Sequence, residues 1–289
     1  MAEIGWIGVG SMGHRMSRHL VAAGHAVVVA DAVSTERAPP GATVAKSNAE
    51  VAQSADTILL SLPDGTVSET VARELAAAPG RTVKTVIDTS TIGIKAAEAV
   101  AGILDAAGIE FVDAPVSGGT AGAEKATLAI MLACAKPTYE RLLGLMSLMG
   151  KPFYVGPKPG QAQAVKLLNN FLSATALAAT SEAISFGVGQ GIEMKTILDI
   201  VNASTGRNSA TDDKFPRRIM HGRYDAGFAA KLQLKDIRLY LENARAAGTA
   251  DEVASTVVDV WERMVRKMPG ADITEMYPYT RSGRGNSAT

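Results

Sequence analysis

The length, composition and charge of the chain already narrow its class. At 289 residues it is long enough for one large domain or two ordinary ones. Hydrophobic residues make up 47% of it, and 29 basic residues balance 29 acidic ones. A formal net charge of zero gives no electrostatic reason to expect a nucleic acid or an anionic membrane as a partner. The composition therefore favours a soluble α/β protein that binds neither.

Signals for targeting, membranes and metals are weak. The chain passes from Met1 straight into a strand-like segment, so we expect no signal peptide. The longest apolar stretch, Leu167 to Ser181, contains two asparagines and is too short and polar to predict a membrane span. The single cysteine, Cys134, favours a reducing, cytoplasmic location and is predicted to lie in a buried strand. The four histidines lack the spacing of metal ligands, so we predict no metal.

The first half of the chain alternates short apolar runs with amphipathic stretches. This pattern is typical of repeated βαβ units. Helices fit between the runs, for example Met12–Ala23 and Asn48–Gln53, the second with Ser47 as its N-cap. The predicted strands are Glu3–Val9, Ala26–Ala30, Thr57–Leu60, Thr85–Asp88, Phe111–Asp113 and Leu128–Ala133.

The second half shows a different pattern. From Gln161 a small-and-apolar periodicity runs without a break to Gly187, which predicts one long helix over about 161–190 and further helices beyond it. We therefore expect an α/β domain over 1–160 and an all-α domain over 161–289. A helix that is apolar on all sides must be buried on most of them, so a second subunit is expected to help cover it. The Gly-, Ser- and Arg-rich tail, 281–289, is expected to be disordered.

A glycine pattern follows the first predicted strand. Gly8-Val9-Gly10-Ser11-Met12-Gly13 is a G-x-G-x-x-G that lies between a strand and a helix. In that context the first glycine permits a tight turn, the second lets the backbone approach a pyrophosphate, and the third lets helix and strand pack closely. The N–H groups at the helix start then face the phosphates.

The second predicted strand ends at Asp31, where a carboxylate can accept hydrogen bonds from the ribose hydroxyls of a dinucleotide. A 2′-phosphate would be repelled there, so NAD is favoured, although Arg37 keeps NADP possible. The alternative is a Rossmann-like domain that binds another nucleotide or none.

Two further segments carry polar groups in unusual settings. Ser117-Gly118-Gly119 follows a strand and can present a hydroxyl and bare N–H groups to a carboxylate, or form an ordinary turn into a helix. Lys166 and Asn170 lie one turn apart at the start of the long apolar helix, where burying them has a desolvation cost. Two explanations are open at this point: a functional pair, or a lysine that snorkels to solvent.

A charge pair, Lys235-Asp236, stands near the start of a later helical pattern. Taken alone it fits a solvated pair on a helix surface.

Together these segments resemble the β-hydroxyacid dehydrogenase family, from Ile4 to about Tyr279. The resemblance implies a Rossmann-type doubly wound domain and an all-α domain joined by a long interdomain helix, assembled as homodimers or homotetramers. It implies hydride transfer between a nicotinamide cofactor, NAD or NADP, and a small carboxylate such as a 3-hydroxyisobutyrate-like 3-hydroxy acid. Many members of that family have glycine where this chain has Ala126, Ala162 and Ala133-Cys134, so the resemblance does not determine the shape of the substrate pocket.

The resemblance also implies roles for single residues. Lys166 matches the catalytic acid/base, and Asn170 matches the residue that holds the substrate beside it. The substrate carboxylate is then bound by the residues that match Ser117, Gly118 and Gly119. Three cofactor contacts are implied as well: Thr91 near nicotinamide and substrate, the stretch Leu60, Ser61, Leu62 and Pro63 along the nicotinamide ribose, and Lys235.

In the implied reaction, a lysine takes the hydroxyl proton only as the neutral amine, a form that burial favours. One enzymatic alternative is a semialdehyde reductase of the same family, acting on tartronate or succinic semialdehyde with NADPH. Imine-reductase relatives usually replace the lysine, which is present here, and a 6-phosphogluconate dehydrogenase would need a longer all-α half. A non-catalytic nucleotide-binding module would be expected to lose either Lys166 or the glycines.

Overall fold

The computed structural model describes residues 3–282. Cα packing divides the chain into two compact units, with the division between Lys166 and Leu167. The domain boundary predicted after residue 160 lies a few residues earlier and stays a prediction.

The first unit contains one nine-stranded sheet in the described residues. The strands are β1 (Glu3–Ile7), β2 (Ala26–Ala30), β3 (Thr43–Val44), β4 (Thr57–Leu60), β5 (Thr85–Asp88), β6 (Glu110–Asp113), β7 (Val116–Ser117), β8 (Leu128–Ala133) and β9 (Gly150–Gly156). Their spatial order is β3-β2-β1-β4-β5-β6-β8-β7, with β9 paired to β8, and the pairs from β3 through β6 are parallel.

Helices connect most of the parallel strands, as parallel pairing requires a crossover, and a loop connects β2 to β3. Those of the first unit are α1 (Gly13–Ala22), α2 (Asn48–Ser54), α3 (Gly65–Ala77), α4 (Ile94–Asp105), α5 (Gly119–Lys125) and α6 (Lys136–Ser147). Alternate residues of β1 enter two separate cores, Ile4 and Trp6 one and Ile7 the other, so helices cover both faces of the sheet. This is the doubly wound α/β architecture predicted from the sequence.

The register of the parallel strands brings their carboxyl ends to one edge. Ile7 pairs with Ala30 and with Leu60, Leu60 pairs with Asp88, and Asp88 pairs with Asp113. The segments that follow these strands therefore leave the sheet side by side. In open α/β sheets this is the edge at which ligands bind.

The strand predictions need correction at four places. The first strand ends at Ile7 and not at Val9, because Gly8 has a φ of +94° and leaves the extended conformation. Two short strands, β3 and β7, have only two residues each and leave no periodic pattern. The seven-residue β9 contains Pro152, which lacks an N–H for pairing and hid the strand from the sequence pattern.

A single long helix, α7 (Gln161–Gly189), begins in the first unit and continues into the second. The helices that follow are α8 (Met194–Asn202), α9 (Phe215–Arg217), α10 (Ala230–Ala246), α11 (Glu252–Lys267) and α12 (Met276–Ser282), with a π-helical turn at Ala210–Lys214. The core of the second unit forms around Trp261 and Phe215, both fully buried. Among described residues after Gly160, strand-like pairing is limited to one bridge between Ala229 and Asp272.

Helix α7 is long and apolar enough to cross a membrane by length and composition alone. Its most apolar window has a mean hydropathy of 1.3 and is 33% buried. Core helices of soluble proteins meet the same criterion. At the other end of the second unit, Arg281 and Ser282 close α12, so the predicted disordered tail does not begin at 281. Its remainder, 283–289, lies outside the described residues.

Candidate active site

The glycine pattern forms the turn between β1 and α1. A Cβ on Gly8 would lie 2.2 Å from the Ser61 carbonyl oxygen, and one on Gly13 would lie 1.9 Å from the Gly8 carbonyl oxygen. Both positions therefore exclude any side chain. At Gly10 a Cβ would meet no atom within 4 Å, so packing does not explain this glycine. An open backbone at that point, at the start of a helix, fits the approach of a dinucleotide pyrophosphate.

Asp31 lies directly after β2 and joins the glycine turn to the next loop. One carboxylate oxygen accepts a hydrogen bond of 2.8 Å from the Val9 N–H, and the other accepts from the N–H groups of Val33 and Ser34 at 2.8 and 3.1 Å. A carboxylate has about four acceptor positions, so these bonds leave room for a ribose hydroxyl. The carboxylate thus holds the turn in place as well as fitting the predicted contact.

The segments after β4 and β5 are tied together. The Ser61 N–H donates to the Ile7 carbonyl at 2.9 Å, and the Leu62 N–H donates to the Ser90 hydroxyl at 2.7 Å. These bonds place Leu60–Pro63 between the glycine turn and the loop that carries Thr91. The structure therefore brings three predicted cofactor segments to the same edge of the sheet.

The Ser117-Gly118-Gly119 segment joins β7 to α5. Gly118 and Gly119 have φ values of 135° and 62°, a region that other residues avoid, and both are exposed. Their N–H groups stand at the start of a helix, beside the half-buried Ser117. Hydroxyl and N–H donors of this kind suit an anion such as a carboxylate.

Lys166 lies on the second turn of α7 and is 8% exposed. It is the last residue of the first unit. The snorkelling alternative requires an exposed ammonium, which this burial contradicts.

The first turn of α7 is held by a buried polar network within the first unit. Gly160 has no side chain to cap the helix, and Asp113, at the end of β6, does so instead. One oxygen of Asp113 accepts from the N–H groups of Gly160 and Gln163 at 2.9 and 3.2 Å. Its other oxygen accepts from the Gln163 side-chain amide at 2.7 Å.

Gln163 also binds the loop after β5. Its amide oxygen accepts from the N–H groups of Ile92 and Gly93 at 3.0 and 3.1 Å, and its amide nitrogen donates to the Ser90 carbonyl at 3.1 Å. Burial, with a smaller contribution from the nearby Asp88, raises the pKa of Asp113 from 3.8 to about 6 against the lowering effect of its hydrogen bonds with Gln163 and Gly160.

A second polar cluster lies within the second unit. The Asn170 side chain donates to Asp236 at 2.6 Å, and the Gln233 side chain donates to the Asn170 carbonyl at 3.0 Å. Asn170 and Asp236 are 6% and 3% exposed. Lys235 lies 3.2 Å from the other oxygen of Asp236, so the sequence-adjacent pair is a partly buried ion pair and not a solvated one.

Sequence reasoning misses several members of these clusters. The pattern places Asp113 at a strand end and Asp236 on the surface, and it singles out neither Gln163 nor Gln233. Their common signal is a polar side chain at a position that the apolar pattern predicts to be buried.

The thiol of Cys134 lies outside this chemistry. Cys134 is buried as predicted, at 4% exposure, but it follows the end of β8 and does not lie in the strand. Burial raises the pKa of its thiol to about 11. Over residues 3–282 no group of three or more His, Cys, Asp and Glu could hold a metal ion.

Comparison with known proteins agrees with this geometry. Residues 3–156 match the family model for the NAD-binding domain of 6-phosphogluconate dehydrogenase. Residues 160–280 match the model for the NAD-binding region of NADP-dependent 3-hydroxyisobutyrate dehydrogenase. The two models together cover nearly all of the described chain.

Individual relatives span nearly the whole length. The 2-(hydroxymethyl)glutarate dehydrogenase of Eubacterium barkeri is 34% identical over 91% of this chain and 95% of its own. The mitochondrial 3-hydroxyisobutyrate dehydrogenase of Drosophila melanogaster is 31% identical over 92% and 85%. The structure of Mycobacterium tuberculosis 3-hydroxyisobutyrate dehydrogenase with L-serine has a TM-score of 0.89 and 28% identity, covering 97% of this chain and 99% of that one.

The fold, the glycine turn and these matches lead to one conclusion. The chain belongs to the β-hydroxyacid dehydrogenase family and is an NAD(P)-dependent oxidoreductase of hydroxy acids.

Proposed function

We propose that the enzyme oxidises a small 3-hydroxy acid with NAD, and that Lys166 is its general acid/base. The observation that carries the proposal is the burial of Lys166 at 8% exposure, on the turn of α7 that follows the one held by Asp113 and Gln163. A lysine is placed in such a setting at a desolvation cost, and burial favours the neutral amine that can accept a proton.

The chemistry divides between cofactor and protein. When bound, the cofactor would supply the hydride acceptor for oxidation of the carbinol carbon. Lys166 takes the proton of the substrate hydroxyl as the carbonyl forms, and in the reverse direction its ammonium returns that proton. Asn170, one turn further along the same helix, orients the hydroxyl through its amide.

The carboxylate end of the substrate requires hydrogen-bond donors. The hydroxyl of Ser117 and the N–H groups of Gly118 and Gly119 supply them. Support comes from the positive φ values at both glycines and from their exposure at the start of α5. Orienting both ends of a small substrate can lower the barrier by several kcal/mol.

We assign the cofactor to the carboxyl edge of the sheet. The turn Gly8–Gly13 takes the pyrophosphate, and Asp31 takes the adenosine ribose, which favours NAD over NADP. Leu60, Ser61, Leu62 and Pro63, with Thr91, line the nicotinamide end. Lys235 is assigned as a further cofactor contact from the family resemblance alone.

The relatives narrow the substrate class. 3-Hydroxyisobutyrate, 2-(hydroxymethyl)glutarate and L-serine all contain a hydroxymethyl group on the carbon that bears the carboxylate. We therefore propose a substrate of the form HOCH2–CH(R)–COO⁻, oxidised to the corresponding semialdehyde.

A substrate panel tests this proposal. These three acids, tartronate semialdehyde and succinic semialdehyde are assayed with NAD(H) and NADP(H) by nicotinamide absorbance. We expect oxidation of at least one hydroxymethyl acid with NAD as the preferred cofactor. Turnover of the semialdehydes with NADPH alone would instead favour the reductase, and no turnover with any compound would contradict the proposal.

Gly13→Ala tests the cofactor assignment separately. The added methyl group would meet the Gly8 carbonyl, so the turn must open, and we expect NADH to bind at least about tenfold more weakly. Gly102→Ala is the matched control, because a Cβ there meets nothing within 4 Å on an exposed helix. Equal NADH affinity in both variants, measured by fluorescence titration, would overturn the assignment.

We also propose that the enzyme is a homodimer or homotetramer in the cytoplasm. Large apolar side chains of α7 are exposed in the single chain, among them Leu172 at 60% and Phe186 at 71%. Such a face is usually covered in an assembly. Sedimentation analysis should give more than one subunit, and Phe186→Glu should shift the enzyme towards the monomer; a monomeric wild type would contradict the proposal.

Cell fractionation tests the proposed cytoplasmic location, to which the free thiol of Cys134 is suited.

A further inference from the structure

The first turn of α7 is not stabilised by a capping side chain on the residue that precedes it. The residue before it, Gly160, has a φ of +87°, and a Cβ there would lie 2.8 Å from Ile94, so a capping side chain is excluded. Asp113 supplies the acceptor from β6, 47 residues away in the chain. The orientation of the turn is therefore set by the sheet.

Gln163 is the second anchor of this turn. A side-chain amide has two donors and two strong acceptor positions, and all four are used by protein groups. Three of its partners belong to Ser90, Ile92 and Gly93, the residues around Thr91. The fourth is Asp113, so one fully buried side chain joins α7, β6 and the loop after β5.

Apolar contacts add to this anchor. Ala162 is fully buried and packs against Met131 and Ala133 of β8. The anchor thus has a polar side and an apolar side, and both lie within the first unit. Lys166 follows Gln163 by less than one turn of the same helix.

On this geometry, and resting on the function proposed above, we propose that Gln163 and Asp113 are positioning residues for the reaction. They fix the first turns of α7 to the carboxyl edge of the sheet. In this way they fix the position of the Lys166 backbone relative to Thr91. Neither residue need touch substrate or cofactor.

Such a role has a kinetic consequence. A displacement of about 1 Å in a catalytic group can lower the rate about 100-fold, even when the change is made elsewhere. A loosened anchor should therefore lower kcat. The contacts assigned to the pyrophosphate and the adenosine ribose, at Gly8–Gly13 and Asp31, do not depend on these bonds. NADH affinity should therefore fall far less than kcat, although Thr91 at the nicotinamide end is displaced.

Gln163→Glu is the variant that separates positioning from simple loss of structure. The new side chain has nearly the size of glutamine and keeps the oxygen that accepts from Ile92 and Gly93. Its second oxygen would face the Ser90 carbonyl and the Asp113 carboxylate, and Asp88 is the other carboxylate near this group. When a proton binds between the introduced carboxylate and that of Asp113, one of the two lost donors is restored.

Gln161→Glu is the matched control. Gln161 lies on the same turn, but it is exposed, and its side chain accepts only from the Lys158 N–H. The same change of charge is thus made two residues away, outside the anchor. A thermal unfolding curve for each protein confirms that both variants are folded.

Four quantities are compared in the wild type and both variants: kcat and KM, each from about pH 6 to 8.5, NADH affinity, and hydrogen exchange of the peptide covering the start of α7. For Gln163→Glu we expect a kcat about 100-fold lower at the alkaline end, a much smaller loss of NADH affinity and faster exchange. The loss should shrink as the pH falls. Gln161→Glu should match the wild type throughout.

The outcomes separate the two proposals. An active wild type, with a Gln163→Glu variant whose kcat and exchange also match it, overturns the positioning role and leaves the proposed function standing. A kcat loss that does not change with pH also counts against positioning, because a general lesion has no proton to restore it. A wild type that oxidises no hydroxy acid overturns the proposed function first, and the role of the anchor in catalysis with it.

Discussion

Two buried amides of α7 lie on either side of Lys166, and they differ in their surroundings. Gln163, before the lysine, is fully buried and bonded to Asp113 in the first unit, at 2.7 Å. Asn170, after it, is 6% exposed and bonded to Asp236 in the second unit, at 2.6 Å. Both pair an amide with a carboxylate, yet only the second cluster contains a cation, Lys235, whose side chain is 28% exposed.

This difference distinguishes a residue that positions the helix from a residue that can contact substrate or cofactor. The amide of Gln163 uses its hydrogen-bonding capacity on the protein, so it can only position what is attached to it. The cluster around Asn170 reaches solvent through Lys235, which suits a group that meets substrate or cofactor. Changes in the first cluster should therefore act mainly on kcat, and changes in the second should act on KM as well.

The largest effect is expected at Lys166, which lies between Gln163 and Asn170 along α7. Lys166→Ala removes the acid/base, and we expect kcat to fall about 10³-fold, within the range for general acid–base groups. NADH affinity should stay nearly unchanged, because the glycine turn is untouched. Steady-state kinetics and a fluorescence titration measure the two.

Lys195→Ala is the matched control for that variant. Lys195 is 70% exposed and pairs with Asp199 on the surface of α8, a bond of small energetic worth. Its loss should leave the kinetics unchanged. Residual activity of Lys166→Ala within tenfold of the wild type would remove the lysine from the mechanism.

Next in size is Asn170→Ala, which breaks the second cluster. We expect kcat/KM to fall about 100-fold, with part of the loss in KM, because the substrate hydroxyl loses its orienting amide. Asn243→Ala makes the same change in a part-buried asparagine whose side chain donates to the Leu239 carbonyl of its own helix, and it should have little effect. If Asn170→Ala lowers kcat and leaves KM unchanged, the two clusters have the same kinetic effect, and the distinction between them is contradicted.

The first cluster should show itself in the pH dependence of stability. The folded state raises the pKa of Asp113 from 3.8 to about 6, so between these values it binds the proton more tightly than the unfolded chain does. The contribution of Asp113 to the free energy of unfolding therefore increases as the pH falls through 6. It is complete below about 4, and the gain is at most about 3 kcal/mol.

Asp113→Asn removes this titration. Urea unfolding of both proteins from about pH 7 to 4 gives the difference in their free energies of unfolding, which should grow in favour of the wild type on acidification. A flat difference, or one that shrinks, would contradict the assigned pKa and weaken the first cluster as a buried anchor.

The smallest effect is expected at Cys134, a buried group that belongs to neither cluster. With its pKa raised to about 11, only about one thiol in a thousand is ionised near pH 8. Iodoacetamide should not label the folded enzyme, and Cys134→Ala should keep the wild-type kcat. Fast labelling with loss of activity would show that burial here does not mean inertness.

The two clusters also show which parts of the site can be predicted from the sequence. The glycine turn, Asp31 and the pair Lys166 and Asn170 are local patterns, and the parallel sheet follows from alternating apolar runs. The bonds from Asp113 to Gln163 and from Asn170 to Asp236 join residues 50 and 66 positions apart. No local periodicity encodes such pairs, so the sequence predicted the lysine but not the residues that hold its helix.

The central claim is that the amine of Lys166 itself moves the substrate proton. The most direct measurement is rescue of Lys166→Ala by a small primary amine such as methylamine, with Lys195→Ala under the same conditions. If the claim holds, kcat of Lys166→Ala rises in proportion to the concentration of the neutral amine, and that of Lys195→Ala does not change. A variant that no amine restores, while it still binds NADH and the acid, would contradict it.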